Sequence, residues 1–112
     1  MRHLVFAQLN GRAREHHLAL TRLAPATETF LHDHDFVELF LVTGGAGQHV
    51  CNGHASALGR GMLVGVRAVD AHYFRSAADA PLQFINLALA PAWWAQVLKI
   101  VAPAVGEAWA RA

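Results

Sequence analysis

The chain has 112 residues, of which 54% are hydrophobic and 15% charged, and its formal net charge is +1 with neutral His. This length leaves room for one core and no second domain, and the charge pattern lacks the basic run that nucleic-acid contact needs. The single Cys51 excludes an intramolecular disulfide framework, and no stretch is long enough to span a membrane. We therefore expect a small cytoplasmic domain without direct DNA contact, and the high apolar fraction predicts a homodimer.

Short apolar stretches separated by turn residues fill the first half of the chain, which is typical of an all-β sandwich or barrel. Side chains alternate between the two faces of a strand, so the even-numbered residues of the third and fourth predicted strands are expected to face the interior. The Gly-rich stretch at 44–47 is expected to close the fourth strand. The predicted strands are Leu4–Leu9, His16–Leu23, Thr29–His34 and Val37–Thr43, and the predicted interior residues are Phe30, His32, His34, Glu38, Phe40 and Val42.

Asn52-Gly53 gives the strongest hairpin signal, because a two-residue type I′ turn requires positive φ at both positions. It is predicted to join strands at 48–51 and 54–58. His49 and His54 would then lie near the loop end and, like His16 and His17, are expected at the solvent or at a sheet edge. Three further strands, at 62–67, 71–76 and 82–89, are predicted to complete the sheets.

The pattern becomes helical at Pro91, a residue favoured in the first turn of a helix. The Trp93/Trp94 pair and later apolar residues follow at helical spacing and predict a packing surface, which would cover the outer face of the barrel or form a dimer seam. A second helix is expected at 104–112. We therefore divide the chain into a barrel at 1–90 and a helical extension or linker at 91–112.

Four residues form a candidate metal site: His32, His34, Glu38 and His72. His32 and His34 share one face of a strand because they are two residues apart. Three imidazoles and a carboxylate suit a divalent transition metal such as Zn, Fe, Mn or Ni. The alternative is that these residues only line a wet, polar pocket.

The residues around this set resemble the two motifs of the cupin family. His32-x-His34, three residues, Glu38, six residues and Gly45 match the first motif, and the segment from Gly61 to His72 matches the frame of the second. The Pro-x-Gly expected before the last His is replaced by Arg-Ala-Val-Asp at 67–70. The resemblance implies an all-β cupin (jelly-roll) barrel with a short C-terminal helical extension, and it implies that the four residues ligate a metal.

Several shorter stretches of the sequence are similar to the N-terminal sensor domain of AraC-type transcription regulators. The similarity lies in the stretches 32–36, 38–40, 52–53, 61–63 and 84–89. It implies a barrel that binds a small effector, such as a sugar or an organic acid, and that reaches DNA only through helix-turn-helix units beyond residue 112. A stand-alone metal-dependent cupin enzyme, a dioxygenase or isomerase, is the alternative, since three His and one Glu leave two octahedral positions open. We favour the sensor.

Two smaller predictions concern the orientation of Arg67 and the burial of Cys51. An inward Arg67 would pair with a carboxylate effector, whereas an outward one would be an ordinary solvated charge, which we favour. Cys51 adjoins the predicted hairpin turn and is expected to be a half-buried structural thiol rather than a metal ligand.

Overall fold

A computed structural model describes residues 1–4 and 16–100, without the side chains of 16, 17 and 97–100. Strands dominate this part of the chain, and a single helix, α1, follows them there. The strands are β1 (Arg2–Leu4), β2 (His16–Leu23), β3 (His32–His34), β4 (Val37–Cys51), β5 (His54–Gly59), β6 (Leu63–Val66), β7 (His72–Ser76) and β8 (Leu82–Leu89), and α1 is Pro91–Ile100.

The long strand β4 organises the fold. Its first part pairs with β6 and β8, and its second part pairs with β5 and β7. The strand order along the main path is β1-β3-β7-β4-β8-β2. We call β1, β3, β5, β7 and the second part of β4 the first sheet, and β2, β6, β8 and the first part of β4 the second sheet. Because both sheets share one strand, they curl into a half-barrel.

A bulge and a glycine allow β4 to bend between the sheets. The register with β8 shifts between Val42 and Gly44, and Gly45 follows with φ of 79°. Such an irregularity increases the local twist and turns a strand out of one sheet. The alternating side chains on the concave side then meet in a buried cluster. Its members are Phe40, Val42, Leu58, Val66, Phe74, Leu82 and Phe84.

Much of the predicted secondary structure is confirmed. His16–Leu23 and Leu82–Leu89 are strands with the expected limits, and Asn52 and Gly53 form the positive-φ turn between β4 and β5. A helix begins at Pro91 as expected. It has neither the length nor the apolar stretch needed to cross a membrane, and no other helix lies in the described ranges to do so.

Two predicted strand limits were wrong by three residues or more. The Gly-rich stretch at 44–47 does not end the fourth strand, because its backbone stays paired with β8, β5 and β7 through the bulge. The third strand begins at His32 rather than Thr29. The rest of the first predicted strand after Leu4, and the predicted helix at 104–112, lie outside the described residues. The division at residue 90 stays a prediction.

Candidate metal centre

Three imidazoles converge inside the barrel. His32 and His34 come from β3 and His72 from the start of β7, where His32 and His72 are paired across the strands. One ring nitrogen from each lies within 4.8 Å of the others, and all three side chains are buried. The two-residue spacing in β3 and one antiparallel pairing therefore bring together residues far apart in sequence.

Glu38 adds a carboxylate to this cluster. Its oxygens lie 4.0 Å from His34 Nε2 and 3.9 Å from His72 Nε2, and the residue is only 3% exposed. Among the described residues, Glu38 Oε1 has no hydrogen-bond partner. Burying a carboxylate oxygen without a hydrogen-bond partner destabilises the folded state unless a metal ion or another group binds that oxygen. This donor set of imidazole nitrogens and carboxylate oxygen fits a divalent transition metal, as the four-residue prediction requires.

Burial sets the protonation of the site in the metal-free protein. It lowers the pKa of His72 to about 2, with the neighbouring imidazoles acting in the same direction. Burial also lowers the pKa of His34, and it raises the pKa of Glu38 to about 7 against an opposing hydrogen bond from Asn86. His34 and His72 are therefore neutral at physiological pH, which is the form that ligates metal.

His49 also belongs to this site, and the prediction that it faces solvent or a sheet edge was wrong. It is 4% exposed, and its Nε2 lies 2.8 Å from His72 Nδ1. The bulge in β4 explains the error, because one irregular step exchanges the faces on which odd and even residues lie. His54 is exposed as expected. The side chains of residues 16 and 17 lie outside the description.

Five of the six predicted interior residues are buried, and all five lie within the first cupin-like motif at 32–45. Phe30 is the exception, since it is 46% exposed although it contributes to a cavity wall. Alternation thus placed the candidate ligands on the correct face of the strands.

Hydrogen bonds and an ion pair shape the loop before His72, where the second cupin motif usually has Pro and Gly. Asp70 N donates to Arg67 O, closing a turn, and the Asp70 carboxylate accepts Arg67 N at 2.9 Å. Arg67 Nη2 lies 3.0 Å from Asp70 Oδ1. Arg67 is therefore neither an ordinary solvated charge nor aimed at the ligand cluster. Cys51 is half-buried, as expected.

A cavity of about 180 Å³ adjoins the candidate ligands. His32 and Glu38 form part of its wall, and the other polar groups there are uncharged. No Arg or Lys of the described ranges lines it. The remaining polar residues are Thr21, Thr29 and Asn86, and the apolar ones are Leu4, Phe30, Phe36, Phe74 and Phe84.

The fold and the buried His cluster beside the cavity define a cupin-type ligand-binding domain. The model of the AraC-like ligand binding domain family matches residues 17–108, and the chain belongs to that family. It is also similar to the HTH-type transcriptional activator RhaS of Yersinia pestis (strain Pestoides F) and of Yersinia pseudotuberculosis serotype O:1b. Both are 42% identical over 62 residues, which is 55% of this chain and 23% of each relative. The chain thus aligns with under a quarter of these curated relatives.

Solved cupin structures show the same fold. A cupin-like protein from Thermotoga maritima superposes with a TM-score of 0.68 at 22% identity, covering 80% of this chain and 67% of that one. A cupin protein from Bacteroides fragilis superposes with a TM-score of 0.67 at 16% identity, covering 77% and 74%. The cupin fold and the AraC-type family predicted from the sequence are confirmed, and the findings do not favour the enzyme alternative.

Proposed function

We propose that this chain is the effector-sensing domain of an AraC-type transcription regulator and that its barrel holds one divalent transition metal. The proposed ligands are His32, His34, Glu38 and His72. A single observation carries the proposal: these residues converge in the interior, and two of them, His32 and Glu38, form part of the wall of a small cavity. When bound, the ion would supply a Lewis-acidic position for one effector oxygen.

The cavity supports a small, oxygen-rich effector. Its volume is below the roughly 300–1,000 Å³ of pockets that take drug-sized ligands, so a ligand of the size of a simple sugar or a short organic acid is the better match. Aromatic rings supply apolar walls, while two Thr hydroxyls and the Asn86 amide supply hydrogen-bonding groups. With no cationic side chain of the described ranges in the wall, an acidic effector would depend on the metal for charge compensation.

The proposed function also implies two kinds of partner, DNA and a second copy of the domain. DNA binding would belong to helix-turn-helix units in a longer polypeptide in the cytoplasm, since a net charge of +1 provides few phosphate contacts. We propose further that two copies of the domain associate. The Trp93/Trp94 pair is half-buried, and a larger apolar surface is found on the second sheet.

That surface is an unbroken row of exposed apolar side chains across four strands. Cross-strand pairing aligns Leu20 with Ile85, Ile85 with Leu41, and Leu41 with Leu63. All four are at least 37% exposed on the side away from the core. We call them the apolar row. It carries no charge, so a symmetry-related copy can pack against it without bringing like charges together.

Metal and effector binding can be tested together on the 112-residue chain. The chain is stripped with chelator, reconstituted with Zn²⁺, Fe²⁺, Mn²⁺ or Ni²⁺ and analysed for metal, with His34→Ala beside wild type and the exposed His54→Ala as control. We expect near one equivalent in wild type and His54→Ala and a large loss in His34→Ala. Absence of every metal from the wild type would show that the site is a polar pocket.

A thermal-shift screen of sugars and organic acids on the metal-loaded chain then tests sensing, because a ligand of the folded state raises the melting temperature by mass action. An oxygen-uptake assay with the Fe²⁺-loaded chain is run on the same compounds. Stabilisation without turnover supports a sensor. Steady oxygen uptake with any compound would favour the dioxygenase alternative.

A further inference from the structure

His49 is a buried imidazole, and the proposed ligand set does not use it. It projects from the second part of β4 toward β7, with its Nε2 2.8 Å from His72 Nδ1. Its ring stacks on Phe74 at 5.1 Å and meets the edge of Phe40 at 5.2 Å. Two aromatic contacts and one short hydrogen bond therefore fix its orientation relative to His72.

The hydrogen bond links His49 to the face of His72 that points away from the candidate ligands. His72 Nε2 lies 3.2 Å from His34 Nε2 and 3.9 Å from the Glu38 carboxylate, so this nitrogen faces the site. A neutral imidazole carries one proton, on one nitrogen or the other. If Nδ1 holds the proton, Nε2 has a free lone pair for a metal. If Nε2 holds it, His72 cannot ligate through that atom.

We infer that His49 is a positioning residue that accepts the Nδ1–H of His72 and thereby keeps His72 Nε2 free for a metal. The inference rests on the proposed metal site. Partners of this type, on the far side of a ligating His, orient the ring and select its tautomer. Such partners are usually a carboxylate or a backbone carbonyl, and here a second imidazole fills the role.

A purely structural role for His49 predicts different behaviour. Wedged between Phe40 and Phe74, the ring could serve only to fill the core, and Phe at this position would then preserve the site. His49→Phe keeps an aromatic ring but removes the acceptor. His49→Gln keeps an acceptor near the position of Nε2 but removes the ring. These two variants therefore separate packing from hydrogen bonding.

The test combines two readouts on wild type, His49→Phe, His49→Gln and the exposed control His54→Phe. The first is titration of the metal-free chain with Co²⁺, followed by visible absorption. We expect His49→Phe to bind about 10–100-fold more weakly, with altered bands, as is usual for loss of such a partner. His49→Gln and His54→Phe should stay close to wild type.

The second readout needs no metal and no variant. Imidazole ¹⁵N chemical shifts of the metal-free wild type report which nitrogen of His72 is protonated, and we expect Nδ1. A proton on Nε2 would overturn the inference, even if His49→Phe failed to fold. Co²⁺ affinity in His49→Phe equal to that of wild type would also overturn it and would leave the metal site intact. If wild type binds no metal, the metal site fails, and the ¹⁵N shifts still decide the hydrogen-bond role of His49.

Discussion

Asn52, at the tip of the β4–β5 hairpin, and Asp70, in the loop before His72, hold each other by a 2.9 Å hydrogen bond from Asn52 Nδ2 to Asp70 Oδ1. The Asn52 side-chain oxygen also accepts Ala71 N at 3.0 Å, and Asn52 N donates to Ala71 O at 2.8 Å. The positive-φ turn residue of the hairpin thus anchors the loop that delivers His72. This anchoring replaces the Pro and Gly that the cupin-like motif leads one to expect there.

Asp70→Ala should destabilise the domain strongly. Asp70 is 4% exposed and accepts hydrogen bonds from Asn52, from Arg67 N and from the Arg67 guanidinium. Burial opposes ionisation of Asp70, but these hydrogen bonds outweigh it and hold the Asp70 pKa below its ordinary value. Removing a buried charged acceptor leaves donors without partners, and we expect a loss of about 2–4 kcal/mol in unfolding free energy.

Urea denaturation of the metal-free chain measures this change. Asn52→Gly is the graded comparison, because Gly tolerates the φ of 50° and only the amide contacts are lost. It should cost about 2 kcal/mol, because one of the two lost hydrogen bonds is neutral and the other goes to the ionised Asp70 carboxylate. Equal stability of Asp70→Ala and wild type would mean that the loop does not depend on this carboxylate.

Gly45→Ala should disrupt the bend of β4. A Cβ at this position would lie 1.7 Å from the carbonyl oxygen of Pro81, and φ of 79° is unfavourable for an L side chain. Backbone strain and overpacking each cost about 1–3 kcal/mol, so we expect a loss of at least about 2 kcal/mol in thermal or urea unfolding. Gly59→Ala is the matched control, since no atom lies within 4 Å of its added Cβ. A change in Gly45→Ala no larger than in the control would contradict this account.

Cys51 should react slowly with alkylating reagents. Burial raises the pKa of its thiol to about 11 from 9.0, with the Asp70 carboxylate acting in the same direction. Since the thiolate is the reactive form, its population at neutral pH falls by about 100-fold for such a shift. Iodoacetamide labelling followed over pH should show this, and Asp70→Asn should increase the rate. A rate equal to that of an unfolded chain would show that Cys51 is open to solvent.

The sequence was informative where local rules decide the structure. The Asn52-Gly53 turn follows from φ preferences, and the His32/His34 pair follows from the period of two in a strand. His49 could not be placed in this way. The face on which the His49 side chain lies depends on a bulge between Val42 and Gly44. In the sequence, the glycines there are equally compatible with a turn that ends the strand.

The loop before His72 was unpredictable for a related reason. Its shape rests on hydrogen bonds between Asn52 and Asp70, which are 18 residues apart. Neither residue signals this contact locally, because Asn and Asp are common turn formers wherever they occur. Only the pairing of Cys51 with His72 brings the hairpin tip beside the loop.

The final prediction concerns self-association through the apolar row. The exposed face of the second sheet, rather than the Trp pair, is expected to form the contact between copies. Sedimentation velocity should show a dimer of the 112-residue chain at micromolar concentration. Leu20→Glu and Leu63→Glu, which place a charge at either end of the row, should shift it to monomer while the domain stays folded, because both side chains are already mostly exposed.

Val69→Glu is the matched control for that experiment. Val69 is 80% exposed, as apolar as the row residues, but it lies in the loop between β6 and β7 rather than on the sheet. If the row is the contact, Val69→Glu leaves the dimer intact while both Leu variants dissociate it. Equal dissociation by all three would indicate general charge repulsion. A wild-type monomer at hundreds of micromolar would contradict self-association through the apolar row.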